Sequence, residues 1–220
     1  VHRRALAALM MLLAPLAAAG CGEPVPVPLT CTETIEVDDT AGWVGVFSGG
    51  STYDSPEFPW YSLQKAESLR EAVLDALPRG TEVEALDFGP LMVDSTDPTF
   101  DGIVTSWSNV ETARGRGTIY VSVEKFDDPL PPCIEDYTLF REQLADGTIL
   151  EHSLEESDES ITYNVTAYKP DGSRVIASST NYHTGQGTMT DTFADEPALS
   201  HNELTRIATA PGMDTQPLDE

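Results

Sequence analysis

Three kinds of side chain in this 220-residue sequence could carry chemistry: histidines, clustered carboxylates and cysteines. Nucleophilic hydrolysis needs a serine or cysteine activated by a nearby base. No Gly-x-Ser-x-Gly turn is present, and Ser48-Gly49-Gly50-Ser51 does not supply one. His152, His183 and His201 lie far apart in sequence, and among 37 acidic residues a meeting of one of them with a carboxylate is expected by chance. Each therefore reads first as a surface or hydrogen-bonded imidazole. Calcium needs oxygen ligands at alternating positions of one loop. Asp94, Asp97 and Asp101 before Gly102 lack that ladder. Asp38 with Asp39, and Glu155, Glu156, Asp158 and Glu159, read as solvated loops. Gly115-x-Gly117 and Gly185-x-Gly187 lack the following lysine of a phosphate loop and read as turns. The sequence assigns no catalytic residue, no metal ligand and no cofactor.

The cysteines say more. Arg3 and Arg4 precede an apolar run over residues 5–19, which ends in Ala18-Ala19-Gly20-Cys21. A positive flank, an apolar stretch and small residues are the parts of a secretory signal peptide, here residues 1–20. The run is shorter than the ~20 apolar residues of a membrane-spanning helix. The opening Val reads as an alternative start codon. Small residues followed by Cys resemble a bacterial lipobox, in which the thiol receives a diacylglyceryl group before cleavage, although Ala18 stands where that pattern usually has Leu. The resemblance implies lipidation of Cys21, a lipoprotein held to the outer face of the cell membrane. The alternative is an ordinary signal peptide cleaved just before a cysteine. Pro24, Pro26 and Pro28 then favour an extended tether, ~3.1 Å per residue, through residue 30. With Cys21 acylated, Cys31 and Cys133 remain as an even pair, and an oxidising compartment makes their disulfide the expectation.

The formal net charge is −25, and loss of Arg3 and Arg4 with the first segment takes it to −27. Such a surface repels phosphate backbones, so a nucleic-acid partner is disfavoured. The charge suits solvation, cations or basic partners.

The elements that must position these groups read as one α+β domain over residues 31–212, with a disordered tail over 213–220. The expected architecture is an antiparallel sheet of six to nine strands with one main helix packed on a face. Leu63, Ala66, Leu69, Val73, Ala76 and Leu77 form a helical stripe within residues 61–77, which Pro78 and Gly80 end. Residues 43–48 read as a short buried strand, and 82–94 as two strands split by Gly89-Pro90. Ile119, Val121 and Val123 alternate with Tyr120, Ser122 and Glu124, the period of a half-buried strand. Asp146-Gly147 and Asp171-Gly172 each divide two strand-like runs and favour type I′ hairpins, giving a four-strand meander. Ser200 and Glu203 have capping-box spacing before a short helix. Tyr53, Phe58, Trp60 and Tyr61 form an aromatic cluster that reads as core or as an exposed contact patch.

Several stretches in order resemble a group of actinobacterial secreted or membrane-anchored proteins of unassigned activity. They are SLREAVLDALPRG, ETARGRGTIYVSV, PLPPC, ADGT, YKPDGSRVIASS and LSHNELTRIATAPGM, between residues 68 and 213. The resemblance implies an extracytoplasmic α+β domain and supplies no active-site residues. Three functions compete. The first is a non-enzymatic surface lipoprotein that binds or regulates an envelope protein, with the membrane reached through its anchor. The second is a lipoprotein that binds a small ligand or cation, and the third an enzyme acting on wall polymers.

Overall fold

The structure, a computed structural model, describes residues 25–35, 46, 47, 58–92, 100–157, 160–183 and 192–218. In chain order the first elements are β1 (Val27–Leu29), β2 (Thr34–Ile35), β3 (Val46–Phe47) and α1 (Leu63–Ala76). There follow β4 (Glu82–Val83), β5 (Gly89–Met92), β6 (Phe100–Thr112), β7 (Gly115–Lys125) and β8 (Cys133–Ile134). The meander is β9 (Thr138–Gln143), β10 (Ile149–Glu156), β11 (Ile161–Tyr168) and β12 (Ser173–Thr180). The chain closes with β13 (Tyr182–His183), β14 (Thr192–Phe193) and α2 (His201–Ala208).

One antiparallel sheet dominates the α+β fold, in the order β1-β9-β10-β11-β12-β7-β6-β5-β3, with β4 paired to β6. The period-two pattern sends alternate residues to opposite faces. Ile119, Val121 and Val123 of β7 line up with Val175 and Ala177 of β12, Val165 and Ala167 of β11 and Leu150 of β10, all fully buried on one face. Both helices cover that face. The shorter one, α2, lies directly on β11 and β12, and α1 packs against α2. The expected main helix is thus a flank, and the closing helix is the lid of the core.

The segment before α2 explains how it reaches the sheet centre. A Cβ on Gly117 would sit 2.1 Å from the Thr180 carbonyl oxygen and 3.2 Å from the Ala198 side chain, so only glycine lets these chains approach. Thr112 Oγ1 donates to the Ala198 carbonyl at 2.8 Å, and the Leu199 N–H donates to Ser179 Oγ at 3.1 Å. The expected capping box is present: the Ser200 N–H donates to Glu203 Oε2 at 2.8 Å. Leu204 and Ile207 then point into the core.

Three expectations are corrected. Gly89-Pro90 does not split two strands but opens β5; Pro90 faces Val104 at a place where the register shifts. Pro26 and Pro28 do not all belong to a free spacer, because Val27–Leu29 pairs with residues 141–143 of β9. Lacking N–H groups, these prolines also leave the sheet edge few donors for a further strand. Residues 213–215 are not a frayed tail. Met213 is fully buried and Thr215 nearly so.

The reason for the third is a buried cation. Lys65 faces inward from α1, 1% exposed, and a buried ammonium must be paired. It donates to the Gly212 carbonyl at 3.2 Å and to Asp214 Oδ1 at 2.7 Å. Lys169 donates to the Met213 carbonyl, and Thr215 N–H donates to Ser173 Oγ at 2.8 Å. The closing segment is therefore stitched to α1 and to both sides of the β11–β12 turn. Asp214→Ala, which strands the Lys65 charge, is expected to cost about 2–3 kcal/mol in urea unfolding, with Asp214→Asn costing less. A loss below about 0.5 kcal/mol for the alanine variant would mean the pair is not a clamp.

Candidate functional site

The two Asp-Gly hairpins decide which side chains meet. Neither Asp146 nor Asp171 has positive φ, whereas Gly147 (φ 92°) and Gly172 (φ 80°) do. That excludes the expected type I′ turn, which needs positive φ at both central residues. Instead Gly147 N–H donates to the Leu144 carbonyl and Gly172 N–H to the Lys169 carbonyl. The aspartates cap the returning strands: Asp146 Oδ1 accepts from Thr148 N–H and Asp171 Oδ1 from Ser173 N–H, both at 2.9 Å. Each loop is one residue longer than a two-residue turn, with glycine in the left-handed position that other residues avoid. At the second turn Pro170 occupies a central position, and its ring fixes a negative φ.

This register sets Phe140 opposite His152, and His152 opposite Val165. Beyond that pair the register slips, so Leu139 is an extra residue in β9 and Thr138 faces Ser153. A bulge of this kind disrupts the ladder and re-aims side chains. Here the Ser153 carbonyl, 3.0 Å from His201 Nε2, accepts the imidazole proton. His201, the first residue of α2, is thereby pinned to β10.

Four rings result. Phe140 stacks on His152 with centroids 4.2 Å apart, His152 lies 5.7 Å from His201, and His201 stacks on Tyr163 at 4.5 Å. His152 is 3% exposed, while Phe140 is 49% exposed. Glu142 Oε1 lies 3.3 Å from His152 Nε2. With the carboxylate as acceptor, Nε2 carries the proton and Nδ1 the lone pair. That Nδ1 is buried with no hydrogen-bond partner. Burial pushes the His152 pKa down, Glu142 opposes this, and His201 adds to it. The site thus holds a neutral imidazole oriented by a carboxylate, half of a general-base arrangement. The other half, a hydroxyl or thiol on Nδ1, is missing among the described residues. Among them no three acidic, histidine or cysteine side chains converge as a metal site.

On the opposite face Arg141 Nε donates to Glu151 Oε2 at 2.6 Å, and Arg141 also donates to the Pro132 carbonyl. The pair is buried, side chains 6% and 8% exposed. Tyr168 next to it is pushed up to about 12, first by burial and then by Glu151. This face ties the segment before β9 to the sheet.

The remaining predicted residues fall as follows. Cys31 and Cys133 are bonded, Cα atoms 5.8 Å apart, closing a loop with a sequence separation of 102. Trp60 and Tyr61 are buried at 4% and 5%, with Phe58 packed against the same core. The contact-patch reading of these three therefore gives way to the core reading, because α1 and the sheet close over them. Tyr53, Cys21, Asp38, Asp39, Asp94, Asp97, Asp158, Glu159, Gly185 and Gly187 lie outside the described residues. His183 lines a depression of about 350 Å³ with Glu82, Glu84, Glu111 and Arg116. Sequence reasoning did not bring Phe140, Glu142, Tyr163 and the two histidines together.

An unfolded imidazole takes its proton near ~6.5, and burial resists this in the fold, so the neutral His152 contributes stability above that pH and loses it as pH falls below. Urea unfolding of wild type and His152→Phe at about pH 7.5 and about pH 5 measures this. Wild type is expected to lose stability relative to the variant in acid; a pH-independent difference would show that His152 is not held neutral.

Compared with protein-family models, with curated proteins and with solved structures, the chain gives no match.

Proposed function

We propose that this chain is an exported, lipid-anchored surface domain that binds or regulates a partner in the cell envelope. The observation that carries the reading is the cysteine pairing. Cys31 and Cys133 are joined, which suits an oxidising compartment, and Cys21 is left over behind an apolar run and small residues. The resemblance to actinobacterial secreted and anchored proteins agrees with that address.

The way the chain enters the sheet supports a short leash. β1 starts six residues after Cys21, and extended chain spans at most about 3.6 Å per residue, so Val27 sits within roughly 22 Å of the anchor. The leash keeps the β1–β9 edge within reach of the membrane. Leu139 and Phe140 of β9 are 51% and 49% exposed, neighbouring apolar side chains that a partner could cover. These two replace the sequence-derived cluster around Trp60 as the contact residues of the proposal.

Metabolic labelling with a fatty acid tests the anchor. Wild type is expected to take up label and to stay with membranes, and Cys21→Ala to remain unlabelled. An unlabelled wild type, or label that survives in Cys21→Ala, would refute the reading.

A further inference from the structure

We propose that the stack of Phe140, His152, His201 and Tyr163 is an acid-opened latch. It fastens the β1–β9 edge to the sheet while His152 is neutral, and releases that edge when the ring takes a second proton. The inference does not depend on lipidation and goes beyond the proposed binding role.

The geometry leaves a protonated His152 badly placed. Its ring is 3% exposed between Phe140 at 4.2 Å and His201 at 5.7 Å. A second proton would go on Nδ1, which no acceptor reaches. A buried donor without a partner costs about 1–3 kcal/mol, and more when it is charged. The groups that face the ring can be named element by element. From β9 comes Glu142, whose side chain is 25% exposed. From β11 comes Tyr163, and from α2 His201. Glu151 and Glu155 of β10 alternate to the other face, and β1 brings no titratable side chain. One partly solvated carboxylate is therefore all that favours a buried cation that also has a second imidazole beside it. Burial already disfavours that cation.

The same edge of the sheet is thinly held. Among the described residues β1 pairs with only three residues of β9, and the bulge at Leu139 interrupts the ladder between β9 and β10. Local openings occur where few contacts must break. Opening here exposes the two rings to water without disturbing β7 and β12 at the sheet centre. The Cys31–Cys133 bond lies between β1 and β9 in the chain, so the loosened edge stays attached. Release would free the backbone edge of β10 for pairing with a further strand, an edge that β9 covers until acid opens it.

Hydrogen exchange on the full chain at neutral and mildly acidic pH, corrected for intrinsic rates, tests the latch. Protection in residues 138–143 is expected to fall at least about tenfold in acid while β7 and β12 keep theirs. His152→Phe, which keeps the stack and removes the titration, is expected to abolish the difference. Unchanged protection in 138–143, an equal loss through β7 and β12, or the same acid response in His152→Phe would overturn it. So would an NMR titration of wild type in which the His152 ring protonates at or above the usual histidine value.

Discussion

The bond between Cys31 and Cys133 is the constraint on which the rest of the molecule leans. It closes a loop with a sequence separation of 102, which chain-entropy reasoning values at about 4–5 kcal/mol. Its local effect is as important. β1 is only three residues long and contains a proline, too little to hold a sheet edge by itself. Two residues after β1 the chain is fastened to Cys133, where Thr34 and Ile35 pair in parallel with Cys133 and Ile134. The Pro132 carbonyl beside that link accepts from Arg141, which is held by Glu151. Covalent bond, ion pair and edge strand thus fix one corner of the sheet, and the four-ring stack sits on the other side of the same strands.

A second theme is how a chain with 12 basic and 37 acidic residues uses its cations. Lys65, Lys169, Arg141 and Arg174 are all buried or half-buried, and each one holds a carboxylate or a carbonyl. Arg174 also lies 4.5 Å over the Phe126 ring. Lys65, Lys169 and Arg174 join elements distant in sequence, as Lys65 joins α1 to Asp214, while Arg141 ties β9 to its hairpin partner β10. Exposed pairs such as Arg116 with Glu111 contribute little, since solvent screens them. The positive charge works inside the fold, and most of the negative charge is left to water.

Much of the architecture was legible because it follows from local pattern. The alternation through Ile119, Val121 and Val123, the stripe through Ala66, Leu69 and Val73, and the Ser200–Glu203 spacing each named an element and its buried face, although Leu63, counted in the stripe, is 64% exposed and Lys65 is buried instead. The ring cluster was not legible, and the reason is one residue of turn. A two-residue turn at Asp146-Gly147 sets Ala145 against Thr148 and hence Arg141 against His152. The longer turn sets Phe140 there, and a one-residue slip changes which side chains share a face. The sequence held a hint in Pro170, which lacks the N–H that the residue closing a two-residue turn donates across it, but the first hairpin has Ala145 at that place. The closing segment was misread for a different reason. Met213 and Thr215 look like ordinary tail residues until the buried Lys65, far away in sequence, requires Gly212 and Asp214 beside them as partners.

Trapping the thiols of protein taken directly from cells tests the central claim, that this domain lives in an oxidising compartment with Cys21 blocked. The account predicts that an alkylating reagent marks none of the three cysteines before reduction, and only Cys31 and Cys133 afterwards. Alkylation of Cys31 and Cys133 before reduction, or of Cys21 at either stage, would contradict it.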